Sequence, residues 1–393
     1  MEQLSVAVIG AGMAGRAHAN AWRQAATVFN AEFPEVRRAM IADAYLPFAQ
    51  NAARDYGYEK ATDNWRDILD DPSINIVSIV VANKLHREMA EALIKAGKHV
   101  LCEKPLTDNL EDAKALAELE AQSDVQTGLG YTYRRNPAIS YMARLVEEGK
   151  LGEITHFDAR YWCDYGVDPN GPMAWRYEGP MGSGALGDVG SHLIDTSEFV
   201  VGALKAISGA RLSITIPERP VLKGVVSGGR GVSVEGDAEM AKVTNDDVAT
   251  FTGEFENGVI GTFSCSRVSF GNPNTLILTV QGTKGSATFN MDRPGEIILN
   301  DVSAPEEFRG PRRVLVNPAF PYFKAGSPMD FGGVGFTQVE QFTYQAHAFI
   351  QQVLGIEDGL PKLPTFEHGY RSMRIQEAIA RCAEQGGATV EVK

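Results

Sequence analysis

Few stretches restrict a fold as tightly as Leu4–Gly15, LSVAVIGAGMAG. The apolar run Val6–Ile9 reads as a buried strand. It leads straight into Gly10-x-Gly12-x-x-Gly15, and helical patterning follows to about Ala31. Strand, glycine-rich turn and helix in that order form the dinucleotide-binding fingerprint. Gly10 lets the chain turn sharply off the strand. Gly12 leaves room for a pyrophosphate to approach the backbone, and Gly15 lets helix and strand pack closely. Met13 and Ala14 open the helix, whose free N–H groups and positive dipole end suit phosphate oxygens. A second strand, Val36–Asp43, ends in an acid. An acid there bonds the adenosine ribose hydroxyls and repels a 2′-phosphate, so Asp43 favours NAD over NADP. It lies well beyond the usual gap of about 20 residues from the last glycine, so the first helix or its loop is extended.

The rest of the first half keeps the rhythm of strand and helix. Pro47–Tyr56 and Trp65–Leu69 read as helices. The apolar strand Ile76–Val81 ends in Ala82-Asn83-Lys84-Leu85-His86, and the helix Arg87–Ala96 is closed by Gly97. The strand His99–Cys102 ends in Glu103-Lys104-Pro105, the helix Leu110–Ala121 follows, and Gln126–Tyr131 is the last strand. Alternation of this kind predicts a parallel doubly wound sheet, an α/β Rossmann architecture. Ligands of such sheets bind at the carboxyl ends of the strands, where Asn83, His86, Glu103 and Lys104 fall. A lysine there is either a functional group or a snorkelling surface residue. The sequence divides into a dinucleotide-binding domain, residues 1–130, and a second domain, residues 131–393. Tyr133, Arg134 and Arg135 follow the junction and are placed to line a cleft or to pack the domains together.

From Ile154 the pattern changes. Alternating strand-like runs occur at Ile154–Trp162, Ala206–Thr215, Val248–Phe255, Val259–Ser266, Thr275–Gln281, Gly285–Asn290 and Glu296–Leu299. They predict an α+β domain built on a large, mostly antiparallel open sheet. Pro217–Asn245 is a long connection with the glycine-rich run Val225–Gly231, and 301–336 is irregular. Helical patterns return at Val339–Leu354 and Glu367–Ala383, and these C-terminal helices are free to pack back on the first domain. One helix interrupts the sheet region, Gly182-Ser-Gly-Ala-Leu-Gly-Asp188-Val-Gly-Ser-His192-Leu-Ile-Asp195. Asp188 and His192 are spaced i, i+4 and project from one face. An acid beside an imidazole is a proton-transfer device or an ordinary surface pair; the glycines around it favour close approach of a ligand.

Composition excludes several classes. The formal net charge of −13 argues against nucleic acid or an anionic membrane as the main partner. The four cysteines, Cys102, Cys163, Cys265 and Cys382, lie far apart, which predicts a reducing compartment without disulfides. No apolar run is long enough to span a bilayer, so the expected location is cytoplasmic. No clustered Cys/His site, HExxH or P-loop lysine occurs, so no catalytic metal is expected. Tyr56-x-x-x-Lys60 has short-chain dehydrogenase spacing but falls too early in the chain.

The glycine motif, Glu103-Lys104-Pro105 and Gly184-Ala-Leu-Gly-Asp188-x-x-x-His192 together resemble the glucose–fructose oxidoreductase, inositol dehydrogenase and rhizopine-catabolism (Gfo/Idh/MocA) family across essentially the whole chain. The segments Asp168–Arg176 and Ile216–Pro220 more narrowly resemble its levoglucosan dehydrogenase-like branch. The resemblance implies NAD as cofactor, a carbohydrate substrate, and a homodimer or homotetramer formed through the second domain's sheet. Its catalytic lysine, acid and histidine fall on Lys104, Asp188 and His192, with either Lys104 or His192 as the base. Val81-Ala-Asn83-x-x-His86 looks like the family's Thr-Pro-Asn-x-x-His loop beside the cofactor, with Val-Ala replacing Thr-Pro. Tyr133-Arg134-Arg135-x-Pro137 also looks like a family segment. The implied cofactor contacts include Glu103, Arg135, Trp175 and Arg176; the implied substrate contacts include Tyr133, Arg134, Tyr161 and Trp175. The expected activity is hydride transfer between NAD and a sugar, anhydrosugar or cyclic polyol hydroxyl. The alternatives are a redox-neutral NAD-dependent glycosidase, using Tyr161, Asp164 or Tyr165 as a further acid or base, and a non-catalytic NAD-binding regulator.

Overall fold

The computed structural model describes residues 3–222, 232–234, 236–357 and 359–393. It has two compact units, Met1–Pro137 with Asn317–Met373, and Ala138–Val316 with Arg374–Lys393.

The first unit is built on six strands: β1 (Leu4–Ile9), β2 (Val36–Ala42), β3 (Lys60–Thr62), β4 (Ile76–Ile79), β5 (His99–Cys102) and β6 (Thr127–Leu129). Their order is β3-β2-β1-β4-β5-β6, and every pair is parallel. Helices α1 (Met13–Gln24), α2 (Leu46–Tyr56), α3 (Arg66–Asp70), α4 (His86–Lys95) and α5 (Leu110–Ala121) connect them. Strands covered on both faces must be apolar throughout. Val6, Val8, Ile76, Val77, Val100 and Leu101 are accordingly fully buried. The strand order reverses between β1 and β4, the switch point where such sheets open a ligand crevice.

Two details differ from expectation. α1 stops at Gln24 instead of running to about Ala31, so the long gap before Asp43 is loop. That loop is anchored. Phe29 adopts φ 62°, donates its N–H to the Ala325 carbonyl at 2.7 Å, and sets its ring 5.0 Å from that of Tyr344. Tyr344 belongs to the helix Gln338–Leu354, which starts with a Thr337/Glu340 capping box and ends at left-handed Gly355. Phe349 and Ile350 of this helix share one apolar core with Val6, Trp22 and Leu101. Residues far along the chain therefore complete the first unit's core. The second difference is β3, three residues too short to carry a periodic signal.

The second unit contains β7 (Ile154–Trp162), β8 (Leu204–Ser213), β9 (Glu218–Pro220), β10 (Met240–Lys242), β11 (Val248–Phe255), β12 (Ile260–Ser266), β13 (Thr275–Gly282), β14 (Gly285–Asn290), β15 (Glu296–Asp301), β16 (Arg312–Leu315) and β17 (Val390–Glu391). Nine of them form one sheet, β16-β15-β14-β13-β7-β12-β11-β8-β17. Only the β7–β12 pairing is parallel. Phe157, Ala159 and Tyr161 of β7 point inward with the period of two expected of a half-covered sheet. Helices α6 (Pro137–Glu147) and α7 (Ser191–Val201) accompany it. β9 and β10 pair with each other inside the long connection; the glycine-rich run at 225–231 lies outside the described residues. The helix expected through Asp188 is composite: a π-helical turn, Leu186–Gly190, leads into α7.

Candidate active site

The glycine turn takes the shape its motif requires. Gly10 has φ +105°, and a Cβ there would lie 2.0 Å from the Val80 carbonyl oxygen. A Cβ on Gly15 would lie 2.0 Å from the Gly10 carbonyl oxygen. The chain's own backbone thus excludes any side chain at both positions. Gly12 is different, because a Cβ there meets nothing within 4 Å. It faces open space at the start of α1, where it is the N-cap with no side chain satisfying the first-turn N–H groups. Met13 beside it is 74% exposed. At the end of β2, Asp43 accepts hydrogen bonds from the Ala11 N–H at 2.7 Å and the Tyr45 N–H at 2.9 Å. Its carboxylate is therefore held at the lip of the turn. Open backbone, helix-start donors without a side-chain cap and a fixed acid fit a dinucleotide.

At the carboxyl edge of the same sheet, half-buried Asn83 opens a 3₁₀ turn, and Glu103 and Lys104, both half-buried, follow β5. Glu103 accepts from His18 Nε2 at 3.0 Å and from the Lys104 N–H at 3.2 Å. Two residues expected among the cofactor contacts lie deeper than their motifs suggest. His86 is fully buried. Its Nδ1 faces the Pro105 and Leu106 carbonyls and its Nε2 faces that of Val81, each at 3.1 Å. The ring lies between the turn after β4 and the segment behind Lys104, and its one N–H is directed at a backbone carbonyl. Burial pushes its pKa below the usual histidine range. Arg135 is likewise fully buried. It donates to the Tyr322 hydroxyl and the Pro361 carbonyl, with its guanidinium 5.2 Å from the Tyr322 ring centroid. Through Nη1 it ties its own turn to a distant part of the first unit. Tyr133 is buried and accepts from Gln338 Nε2 at 3.1 Å. Arg134 is the half-exposed member of the trio.

In the second unit the π-helical turn carries Asp188, and α7 carries His192 and Asp195. π-helical turns inside helices are frequently found at functional sites. Asp188 is half-buried and accepts a 2.7 Å hydrogen bond from the Tyr165 hydroxyl. Burial, and after it the adjacent Asp188 charge, push the Tyr165 pKa well above its ordinary value, so Tyr165 remains a donor. His192 is 8% exposed, and its ring centroid lies 6.0 Å from that of Tyr161. The Tyr161 hydroxyl donates to Asn274 Oδ1 at 2.7 Å. Trp175 is 46% exposed, with the Arg176 guanidinium 4.3 Å from its ring centroid.

The supports of this constellation carry no motif and were missed in the sequence. Asp246 accepts from the backbone N–H groups of Gly182, Gly184 and Leu186, which holds the glycine-rich approach to Asp188. Arg267 pairs with Asp247 at 2.7 Å, both buried, and donates to the Arg176 carbonyl at 2.6 Å. Tyr177 lies between two guanidinium groups, 3.9 Å from Arg219 and 4.6 Å from Arg267. Consecutive polar residues at Asn245-Asp246-Asp247, immediately before the strand β11, were the available signal. Among the described residues, no group of three or more His, Cys, Asp or Glu side chains is placed to hold a metal ion.

The chain matches two family models: "Oxidoreductase family, NAD-binding Rossmann fold" over residues 4–131, and "GFO/IDH/MocA C-terminal domain" over residues 139–288. It is 35% identical over 390 residues to a levoglucosan dehydrogenase of Pseudarthrobacter phenanthrenivorans, covering 98% of this chain and 97% of that protein. A levoglucosan dehydrogenase structure in complex with NADH and levoglucosan superposes with a TM-score of 0.89 at 34% identity, covering 99% of both chains. Another, in complex with NADH and L-sorbose, gives 0.89 at 33% identity and covers 100% of both.

Proposed function

We propose that this chain, which belongs to the Gfo/Idh/MocA family of NAD-binding oxidoreductases, acts on an anhydrosugar of the levoglucosan type. It is an NAD-dependent sugar or polyol dehydrogenase. The observation that carries the finer reading is the end-to-end likeness to levoglucosan dehydrogenases, which includes the substrate-binding second unit as well as the Rossmann unit.

The first unit supplies the cofactor contacts. Gly10, Gly12 and Gly15 with the start of α1 would hold the pyrophosphate, Asp43 would hold the adenosine ribose, and Asn83 and Glu103 would serve the nicotinamide end. When bound, NAD supplies the acceptor for a hydride from the substrate's carbinol carbon. The proton must leave by another route. His192 takes it from the hydroxyl, and Asp188, which accepts from the Tyr165 hydroxyl, stabilises the imidazolium. Lys104 donates to the same oxygen and stabilises its developing charge. Arg134, Tyr161 and the Trp175–Arg176 pair contribute sugar contacts. The open face of the nine-stranded sheet is the surface for a second copy of the chain. The four free, buried cysteines suit a reducing compartment, and among the described residues no helix is long and apolar enough to cross a membrane.

The test is a set of initial rates with NAD and, separately, levoglucosan, other anhydrosugars, aldoses and inositols. The reading predicts the largest kcat/KM for a 1,6-anhydrosugar. An inositol or a free aldose at the head of the series removes the anhydrosugar assignment.

A further inference from the structure

The sheet of the first unit buries a line of polar side chains that the dehydrogenase chemistry does not yet use. Trp22, Ser78 and His18 are at most 2% exposed, surrounded by apolar core. Such groups are costly to bury unless hydrogen-bonded. They bond one another in a single file. Trp22 Nε1 lies 2.9 Å from Ser78 Oγ, Ser78 Oγ lies 3.2 Å from His18 Nδ1, and His18 Nε2 lies 3.0 Å from Glu103 Oε1.

The direction of the file is set from both ends. An indole N–H only donates, so Ser78 Oγ accepts from Trp22. A carboxylate only accepts, so the His18 proton lies on Nε2 and is donated to Glu103. Nδ1 of the neutral ring is then the acceptor for the one Ser78 proton. The other Glu103 oxygen accepts the Lys104 N–H at 3.2 Å. Gly130 closes the space around the oxygen that His18 holds: a Cβ there would lie 2.4 Å from Glu103 Oε1. The carboxylate is thus held by a donor on each oxygen and confined by backbone.

We propose that His18 is a positioning residue for the reaction: it holds the Glu103 carboxylate, which in turn fixes the main chain that carries Lys104. The file also joins two functional segments. His18 and Trp22 lie on α1, the helix that the dinucleotide turn opens, and Glu103–Lys104 follow β5. Movement of either segment is transmitted to the other through one imidazole. The proposal rests on the catalytic reading of Lys104 given above.

The test compares His18→Phe, His18→Gln and Gly130→Ala in the full-length protein, with Lys104→Met alongside. Phenylalanine keeps the ring packing, 5.4 Å from Phe342, but removes the donor. Glutamine keeps an N–H for Glu103. Gly130→Ala presses on Oε1, the oxygen that His18 holds, and so displaces the same carboxylate with the imidazole left in place. A small misplacement of a catalytic group costs about ten- to a hundredfold in rate. That loss of kcat is expected in His18→Phe and Gly130→Ala, with the sugar KM within about twofold of wild type. His18→Gln is expected to recover most of it. Wild-type kcat in folded His18→Phe overturns the proposal, as does equal loss in the Gln and Phe variants, which marks a packing role. If His18→Phe does not fold, wild-type kcat in Gly130→Ala overturns it. Full activity in Lys104→Met instead overturns the reading of Lys104 itself, so the two failures are distinguishable.

Discussion

At the scale of single residues, the acid that matters is defined by what touches it. Asp188 is marked in the sequence by its spacing from His192, but its partner Tyr165 is separated from it by a long stretch of chain and by no recognisable pattern. The contact has a consequence. Because burial and the nearby carboxylate keep the Tyr165 phenol protonated, it donates to Asp188 throughout the working pH range. Tyr165→Phe removes that donor while keeping the ring. We expect kcat to fall by about tenfold, less than the hundredfold or more carried by a group that itself transfers the proton, with sugar KM and thermal midpoint little changed; steady-state kinetics and a melting curve check both parts. Spacing left burial open. His86 and Arg135 stand where a motif puts ligand contacts, and both are fully buried, His86 facing backbone carbonyls and Arg135 donating to the Pro361 carbonyl and the Tyr322 hydroxyl. Sequence position shows which strand end a residue follows, but not whether its side chain faces outward or back into the protein.

At the scale of elements, the long strands and the glycine turn were legible because each satisfies a strong local rule. Fully apolar runs mark the parallel strands, and alternation marks β7 and β11 to their observed bounds. What was not legible is short or composite: β3, β16 and β17, and the π-helical turn before α7. Such elements are held by tertiary pairing, not by local pattern. β5 illustrates a strand with a pH-dependent tie. His99 Nδ1 accepts the Gln126 N–H at 2.8 Å, and burial lowers the His99 pKa, as it does for His86. A histidine whose folded pKa lies below its unfolded value stabilises the fold above about pH 6.5, the unfolded value. That contribution is lost as pH falls through the unfolded value toward the folded one. The thermal midpoint should therefore drop between about pH 7 and pH 5, and His99→Gln should shallow the drop; a midpoint independent of pH across that window contradicts the assignment.

At the scale of the whole molecule, the chain does not divide at one point. Residues 317–373 belong with the N-terminal unit, and Ala346, Phe349 and Ile350 complete the core that contains Trp22. No motif announces this, because the helix Gln338–Leu354 reads only as amphipathic. Residues 1–137 alone should consequently expose an apolar face and lose fixed tertiary packing. Near-ultraviolet circular dichroism and dye binding would show it, and a cooperatively melting fragment would contradict it. The family-level motifs, by contrast, were legible because each is a local string whose chemistry restricts its residues. They led to the central claim, that the hydride leaves a sugar carbon and stays on the nicotinamide. The most direct test is stoichiometric: purified protein, NAD and levoglucosan, with NADH absorbance and ketone product measured in the same sample. One NADH per oxidised sugar is expected. Free sugar released by opening of the anhydro bond, without accumulation of NADH, would contradict hydride retention on the nicotinamide.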